Sequence, residues 1–592
     1  MNNDNDVTRH EFAYMKDFLY YVWLISDDVQ NEVKKQYREF YREFRAGITD
    51  KSSYQKKKGV IEALEKALSK EIIEIVKNHS TLFWMQFFRK LDFSRMGILF
   101  SRASTYALVL VTIDCFIMKY GKKEQSDVIN SGLEMIPLYD KHKDFRKMIK
   151  LYYYCVLFNS LQAAKWRLSK GCKMVFAENE FSMPADEELE HLMSLYDTRC
   201  ENYGSLLHDI YDLCYSTSNF SEIIELIEEK RQNKSVFPLI ISAGSYYIED
   251  SAAKKGIPYP FNYAPKCLFI EGIIPTIHYW ETMNIEIRSF NPSEIISFIA
   301  AVTWIGFLWH EDSMESFGWS GLFYNGFSIT KYSESLLRNL GIYFSEIYPL
   351  ITGHSSSKET RDCLVKRLFI EFSNCEAIDP SNKANIPIFI RYGEWIIVNW
   401  YNIECCLLHW TDELNVSQSR QIGSMRGSCF QEEVRRILQN GCSNSQFIIW
   451  PKKSECLYVD GKEVCEVDIC VKKKNALYVI ECKHILSKSK YKAGTKEGVA
   501  YYNKRARDWL SSVDETARLV AEGAALKDGT VLCNDEIEYV VPLVCTPMPI
   551  YTKSSERYYF ATENIPRVLT PRELLNVINQ PIESIVYCFH KE

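Results

Sequence analysis

No two of the 19 cysteines in this 592-residue chain are spaced as CxxC, and no Cys/His cluster has zinc-finger spacing, which excludes the common structural zinc modules. There is no GxxxxGK[S/T] loop and no GxGxxG after a strand, so no ATP motor and no dinucleotide site is encoded. Long apolar runs are missing as well. The best stretch, Tyr106 to Met118, is 13 residues long and contains Asp114, whereas a membrane span needs about 20. Ile295 to Trp309 is also short and runs into His310, Glu311 and Asp312. Both are expected to be buried helices, with no membrane contact. The opening MNNDNDVTRHEF lacks the basic and apolar pattern of a secretory leader. With scattered thiols, this points to a reducing, cytoplasmic setting. His278, His310, His354 and His409 stand alone, and Cys405–Cys406 sit in an apolar run as small buried hydrophobes.

What is there is ordinary globular material in quantity. Apolar residues make up 46 % and charged residues 25 %, enough for several cores. At about 150 residues per domain the length suggests three or four. The net charge of −6 hides an asymmetry: from Gln421 onward 24 Lys and Arg face 22 Asp and Glu, while the remainder carries 47 against 55. The acidic balance of that remainder argues against its being the main nucleic-acid surface.

The texture divides the chain in three. Residues 1–350 read as mostly helical, with apolar residues at helical spacing in Tyr14–Phe44, Val60–Val76, Phe145–Leu168, Asp186–Cys214 and Ser221–Arg231. Residues 351–422 begin with the polar TGHSSSKET and continue into Ile386–Ile390 and Trp395–Asn399, two β-rich runs around Gly393, which predict a hairpin in a small bridge. Residues 423–592 change pattern again. A helix is predicted over Ser428–Gln439, strands over Phe447–Trp450, Val464–Val471, Ala476–Cys482 and Tyr539–Val544, and helices over Lys496–Glu522 and Pro571–Ile578. The order α-β-β-β-α-β-α defines a mixed α/β domain.

The informative segment is EVCEVDICVKKKNALYVIECKH, from Glu463 to His484. Side chains alternate along a strand, so Glu481 and Lys483 share one face while Cys482 points with Ile480 and Tyr478 into an apolar layer. Asp468 sits across the hairpin from Glu481. Two carboxylates and an ammonium then converge at one end of a sheet. Mg²⁺ favours oxygen ligands, with one or two carboxylates from protein. Asp468 and Glu481 are the candidate carboxylates, and the backbone carbonyl of Cys482 is a third candidate oxygen. Lys483 is placed to orient a water and to offset transition-state charge. Glu466, two residues before Asp468, is a weaker candidate.

This combination resembles the PD-(D/E)xK nuclease superfamily, the restriction-endonuclease-like fold, in particular its Mrr-like branch. The resemblance covers residues from Gly423 to Asn579 and matches at Asp468, Glu481 and Lys483, with Val467 where the signature proline would stand. It implies an αβββαβ core, Mg²⁺ (or Mn²⁺) and cleavage of the DNA backbone. Related sequences often add a helix glutamate directly after a Phe, where this chain has Gln431 after Phe430. Phe430, Val434, Ile437 and Leu438 form the buried stripe of that helix. Glu433 flanks it and Glu432 points away, which makes Glu433 the further catalytic candidate. Gln431 leaves open a reduced metal requirement or a different ligand.

From Lys472 to Arg507 there are 11 Lys and Arg against two Glu. Such a surplus suits a polyphosphate backbone, bound by counterion release. Lys488, Lys490, Lys492, Lys496, Lys504, Arg505 and Arg507 are the candidate DNA contacts. The reading is a metal-dependent deoxyribonuclease carried by a helical region that regulates, targets or oligomerises it, the last as a homo-oligomer. Bacterial proteins of this layout resemble anti-phage defence effectors or restriction-type enzymes. The rival is an inactive nuclease-fold module that binds DNA or acts as a scaffold, its function lying mainly in the helical region.

Overall fold

The computed structural model describes residues 27–90, 103–123, 142–184, 186–203, 215–216, 238–246, 262–282, 286, 289–312, 327–355, 357–381, 386–392, 395–399, 420–441, 447–451, 453–485 and 495–590. The amino-terminal part is largely helical, as its periodicity requires. Helix α1 covers 27–44. It is followed by α2 (Tyr54–Val76), α3 (Thr81–Lys90), α4 (Ala103–Tyr120), α5 (His142–Lys170) and α6 (Glu187–Tyr203). Helix α2 starts where the Ser53 side chain accepts the Lys56 N–H, and its stripe Ile61, Leu64, Leu68 and Ile72 is fully buried. It packs along α5. The two longest apolar runs lie inside α4 and α8 (Pro292–Asp312) and are mostly buried. Among the described residues no helix is long and apolar enough to cross a membrane. The predicted helix at Ser221–Arg231 lies outside the described residues.

Strands also occur within this mostly helical part. Strands β3 (Tyr215–Ser216), β4 (Pro238–Tyr246) and β5 (Asn262–Phe269) form one small sheet, and β5 runs into α7 (Ile270–Thr282). The expected bridge hairpin forms, and it has a further partner upstream. The hairpin of β7 (Phe389–Tyr392) and β8 (Trp395–Asn399) takes β6 (Phe327–Lys331) as its third strand, so one sheet straddles the boundary drawn at residue 350. Periodicity within a segment cannot report a strand partner more than sixty residues upstream. Helices α9 (Glu334–Thr352) and α10 (Lys358–Glu371) lie between β6 and β7.

The carboxy-terminal part is an α/β layer structure. Helix α11 (Arg420–Gly441) precedes β9 (Phe447–Trp450), β10 (Glu455–Val459), β11 (Lys462–Val467), β12 (Ile469–Lys473) and β13 (Ala476–Cys482). Then come α12 (Lys496–Ala521), the short β14 (Ala525–Leu526), β15 (Tyr539–Cys545), β16 (Val568–Leu569), α13 (Pro571–Asn579) and β17 (Phe589–His590). The main sheet runs β16-β15-β13-β12-β9, with β17 on β15. Strands β9, β12 and β13 pair antiparallel, while β13 and β15 are parallel with α12 as the crossover.

Alternation along these strands sorts the two faces. Ile469, Val471, Tyr478, Ile480, Cys482, Leu543 and Cys545 are buried in one core with Phe430, Val434 and Leu438 of α11. Cys470, Leu477, Val479, Val540 and Val544 are buried in a second with Val499, Leu510 and Val513 of α12. The sheet is therefore covered on both sides. The first core continues without a break into α2, α5 and α8.

Two local features differ from expectation. The run Val464–Val471 is two strands: β11 ends at Val467, β12 begins at Ile469, and they belong to different sheets. The change occurs at Asp468, whose carbonyl is taken by the Arg435 guanidinium at 2.6 Å instead of by a neighbouring strand. The second is the β10–β11 hairpin, which adds two strands to the expected order. Its turn is Asp460–Gly461, both at positive φ (50° and 75°), the backbone that a two-residue hairpin loop favours.

Candidate active site

The end of β13 and the β11–β12 changeover meet at a cavity of about 200 Å³ lined by Glu466, Asp468, Glu481, Lys483, Ser512 and Thr516, among others. Asp468, Glu481 and Lys483, 13 and two residues apart in sequence, are thus brought to one hollow. Each arrives for a local reason. Glu481 is the sixth residue of β13, on the α12-facing side with Leu477 and Val479, where the apolar layer gives way. Lys483 follows on the same face, and its own N–H extends the parallel ladder to the Cys545 carbonyl at 2.8 Å. Asp468 stands at the strand break, so its side chain is free of both sheets' alternation.

The bonding around the carboxylates is dense. Asp468 Oδ2 accepts the Cys482 backbone N–H at 2.8 Å. Asp468 Oδ1 accepts Gln431 Nε2 at 2.8 Å, and the Ser454 hydroxyl lies 3.2 Å away. Its single proton goes to Gln431 Oε1 at 2.7 Å, the shorter of its two contacts. Glu481 Oε1 is 2.5 Å from Lys483 Nζ and accepts the Ser512 hydroxyl at 3.3 Å. Glu481 Oε2 is buried and has no hydrogen-bond partner among the described residues. Burial holds both carboxyls above their ordinary pKa. The Cys482 N–H works against it at Asp468, and Lys483 does so at Glu481. Behind them, on the α11 side, half-buried His484 packs edge-on to Phe430 and is pushed down to about 4, chiefly by desolvation.

Glu433 is not part of this group. It bonds Arg436 one turn along α11, at 2.5 and 2.8 Å. Gln431 takes the inward place instead. Two residues are about 200° on a helix, so Gln431 and Glu433 cannot face the same strand. Glu432 is exposed. Glu466 lines the cavity from β11 but is an exposed residue. Cys482 turns its thiol into the apolar core, leaving only its backbone at the site.

The described residues of the basic stretch do not all lie together. Lys472 pairs with Glu536, and Lys473 donates to the Ile578 carbonyl at 2.6 Å, at the opposite end of the hairpin from Glu481. Lys488, Lys490 and Lys492 lie outside the described residues. Lys496 sits over the Tyr54 ring of α2 at 5.3 Å. Lys504, Arg505 and Arg507 are exposed on α12. Arg505 and Ser512 are seven residues apart and share a stripe of that helix, whereas Arg507 is turned well away from it.

Ser454, Ser512, Thr516 and Arg435 were not singled out from sequence. Ser454 lies in a short connection with no pattern. Ser512 and Thr516 carry one signal, an i,i+4 pair of small hydroxyls beside the buried stripe of α12.

Among the described residues no group of three or more His, Cys, Asp or Glu side chains is placed to hold a metal ion. The donor set is two carboxylates, one with an orphaned buried oxygen. That set fits a hard cation that keeps waters and takes one or two protein carboxylates, and does not fit zinc. No family model, no curated protein and no solved structure matches this chain.

Proposed function

We propose that residues 423–592 form a restriction-endonuclease-like domain that hydrolyses the DNA backbone with Mg²⁺ or Mn²⁺. One observation carries the reading: Asp468, Glu481 and Lys483 line the same cavity at the end of a mixed sheet, and one buried oxygen of Glu481 has no partner among the described residues. The strand order supports it too. Antiparallel β9, β12 and β13, followed by a helical crossover to parallel β15, with a helix before β9, is the αβββαβ arrangement that the resemblance implies. The β10–β11 hairpin is an insertion within it.

In this reading Asp468 and Glu481 hold the cation, with the Cys482 carbonyl as a further oxygen. The bound ion lowers the pKa of a ligated water and polarises the scissile phosphate. Lys483 donates hydrogen bonds to the attacking water or a phosphate oxygen, and its charge offsets the extra negative charge at phosphorus. Burial of the two carboxyls, unfavourable on its own, is relieved by the cation. Arg505 on α12, in line with Ser512, steers the backbone toward the cavity.

The test is incubation of the full-length protein with supercoiled plasmid and Mg²⁺ or Mn²⁺, beside Asp468→Ala. Wild type is expected to nick or linearise the plasmid and the variant to leave it intact. Equal nicking by both, or none by wild type with either cation, removes the proposal. A second reading, a DNA-binding module without cleavage, is favoured by the amide at Gln431 where a carboxylate would strengthen cation binding. It predicts a gel shift that is equal for both proteins, with no cleavage.

A further inference from the structure

We infer that Gln431 is a positioning residue that restricts this site to a single divalent cation. The inference rests on the nuclease reading of the same cavity. It follows from counting which oxygens are open. A carboxylate offers about four lone-pair positions, two on each oxygen. At Asp468 Oδ1, Gln431 Nε2 donates at 2.8 Å and the Ser454 hydroxyl approaches at 3.2 Å. Gln431 fills one position on that oxygen, and the Ser454 oxygen, whose single proton goes to Gln431 Oε1 at 2.7 Å, crowds the other. At Asp468 Oδ2 the Cys482 N–H is the one donor among the described residues, so one position remains. At Glu481, Oε1 is engaged by Lys483 and Ser512, and Oε2 has no partner. Asp468 through Oδ2 and Glu481 through Oε2 are thus the oxygens that would hold one cation. A second would need Asp468 Oδ1, where the Gln431 amide hydrogens would repel it.

Gln431 has a further constraint on its orientation. Its Oε1 accepts the Ser454 hydroxyl at 2.7 Å, which fixes the amide so that the NH₂ end, not the carbonyl, meets Asp468. A glutamine here is therefore a hydrogen-bond donor and not a ligand. A glutamate at the same place would remove the donor, free Oδ1 and bring a further carboxylate.

The experiment is calorimetric titration of metal-free, full-length protein with MnCl₂, without DNA. Wild type is expected to bind one Mn²⁺ at the site, Gln431→Glu two, and Asp468→Ala none. Gln431→Ala adds no carboxylate and is expected to keep one ion, which separates lost packing at this position from the gain of a ligand in Gln431→Glu. Two carboxylate-dependent Mn²⁺ ions on wild type, or one on a folded Gln431→Glu, overturns the inference while leaving the nuclease reading intact. No Asp468-dependent Mn²⁺ on wild type overturns both.

Discussion

Arg199 of α6 and Glu573 of α13, 374 residues apart, form a buried ion pair with contacts of 2.5 and 2.9 Å. The same guanidinium donates to the Ile550 and Val568 carbonyls at 3.1 and 2.9 Å. Glu573 meanwhile accepts the Thr570 N–H at 2.8 Å in the capping box of α13. A residue of the helical region thereby completes a helix cap in the α/β domain. Arg199→Met strands a buried carboxylate and two carbonyls, and is expected to cost about 3–5 kcal/mol in urea unfolding. Adding Glu573→Gln should recover part of the loss. A single variant within about 1 kcal/mol of wild type would show that solvent reaches the pair.

Lys170, at the end of α5, is a second cation at this contact. Its ammonium lies 4.5–4.6 Å from the rings of Trp166, Tyr196 and Tyr551, with Asp197 at 3.9 Å. It has no hydrogen bond among the described residues. Burial brings its pKa down to about 8, partly offset by Asp197 and also by Cys200 and Cys172, while Arg167 adds to the depression. The folded pKa is below the unfolded one, so between pH 8 and about 10 the unfolded chain holds the extra proton and stability rises with pH. Lys170→Met has no such proton. Its stability relative to wild type should therefore decline across that window by on the order of 3 kcal/mol. Parallel stability curves for the two proteins from pH 7.5 to 10 would contradict this.

Burial raises the pKa of Glu481 in the fold. A carboxyl raised in this way contributes stability that is present below the unfolded pKa near 4 and is lost as pH climbs through the folded value. Metal-free wild type thus carries a penalty at pH 7 that Glu481→Gln escapes. Thermal melts without metal should place Glu481→Gln at or above wild type at pH 7, with the gap closing toward pH 4. Mg²⁺ should raise the melting temperature of wild type alone.

Lys483 lies 2.5 Å from Glu481 and favours its ionised form. Lys483→Met should cut the nicking rate by about 10²–10³, the usual loss of one charge-stabilising group. It should also move the acid limb of the pH–rate profile to higher pH, because Glu481 loses the neighbour that opposes its desolvation. A rate loss with an unmoved limb would mean that the lysine acts on substrate only.

Exposed Arg505 shares a stripe of α12 with Ser512, and Arg507 does not. Arg505→Ala should therefore weaken plasmid binding more than Arg507→Ala and flatten the log–log salt dependence by about one unit. Equal effects of the two would mean that the backbone runs across α12 and not along it.

Sequence made the site legible where chemistry depends on neighbours in the chain. Glu481 and Lys483 had to share a face, and Cys482 had to point into the core, because a strand has a period of two. Helix α12 was legible from its apolar stripe almost to its ends. What escaped depends on contacts remote in sequence. Asp468 breaks a run that looks continuous because Arg435, 33 residues earlier, takes its carbonyl. The choice of Gln431 over Glu433 follows from the rotation of α11 against the sheet, which no pattern in α11 alone fixes. The β10–β11 hairpin was within reach through Asp460–Gly461, a dipeptide whose turn preference was overlooked in favour of the longer run beside it.

One apolar core runs from Val29 through the α11-facing side of the sheet to Ile585. Severing the molecule near residue 415 would leave two raw, greasy surfaces, each prone to clump. Transplanting the α/β part onto a foreign carrier would therefore demand redesign of the seam.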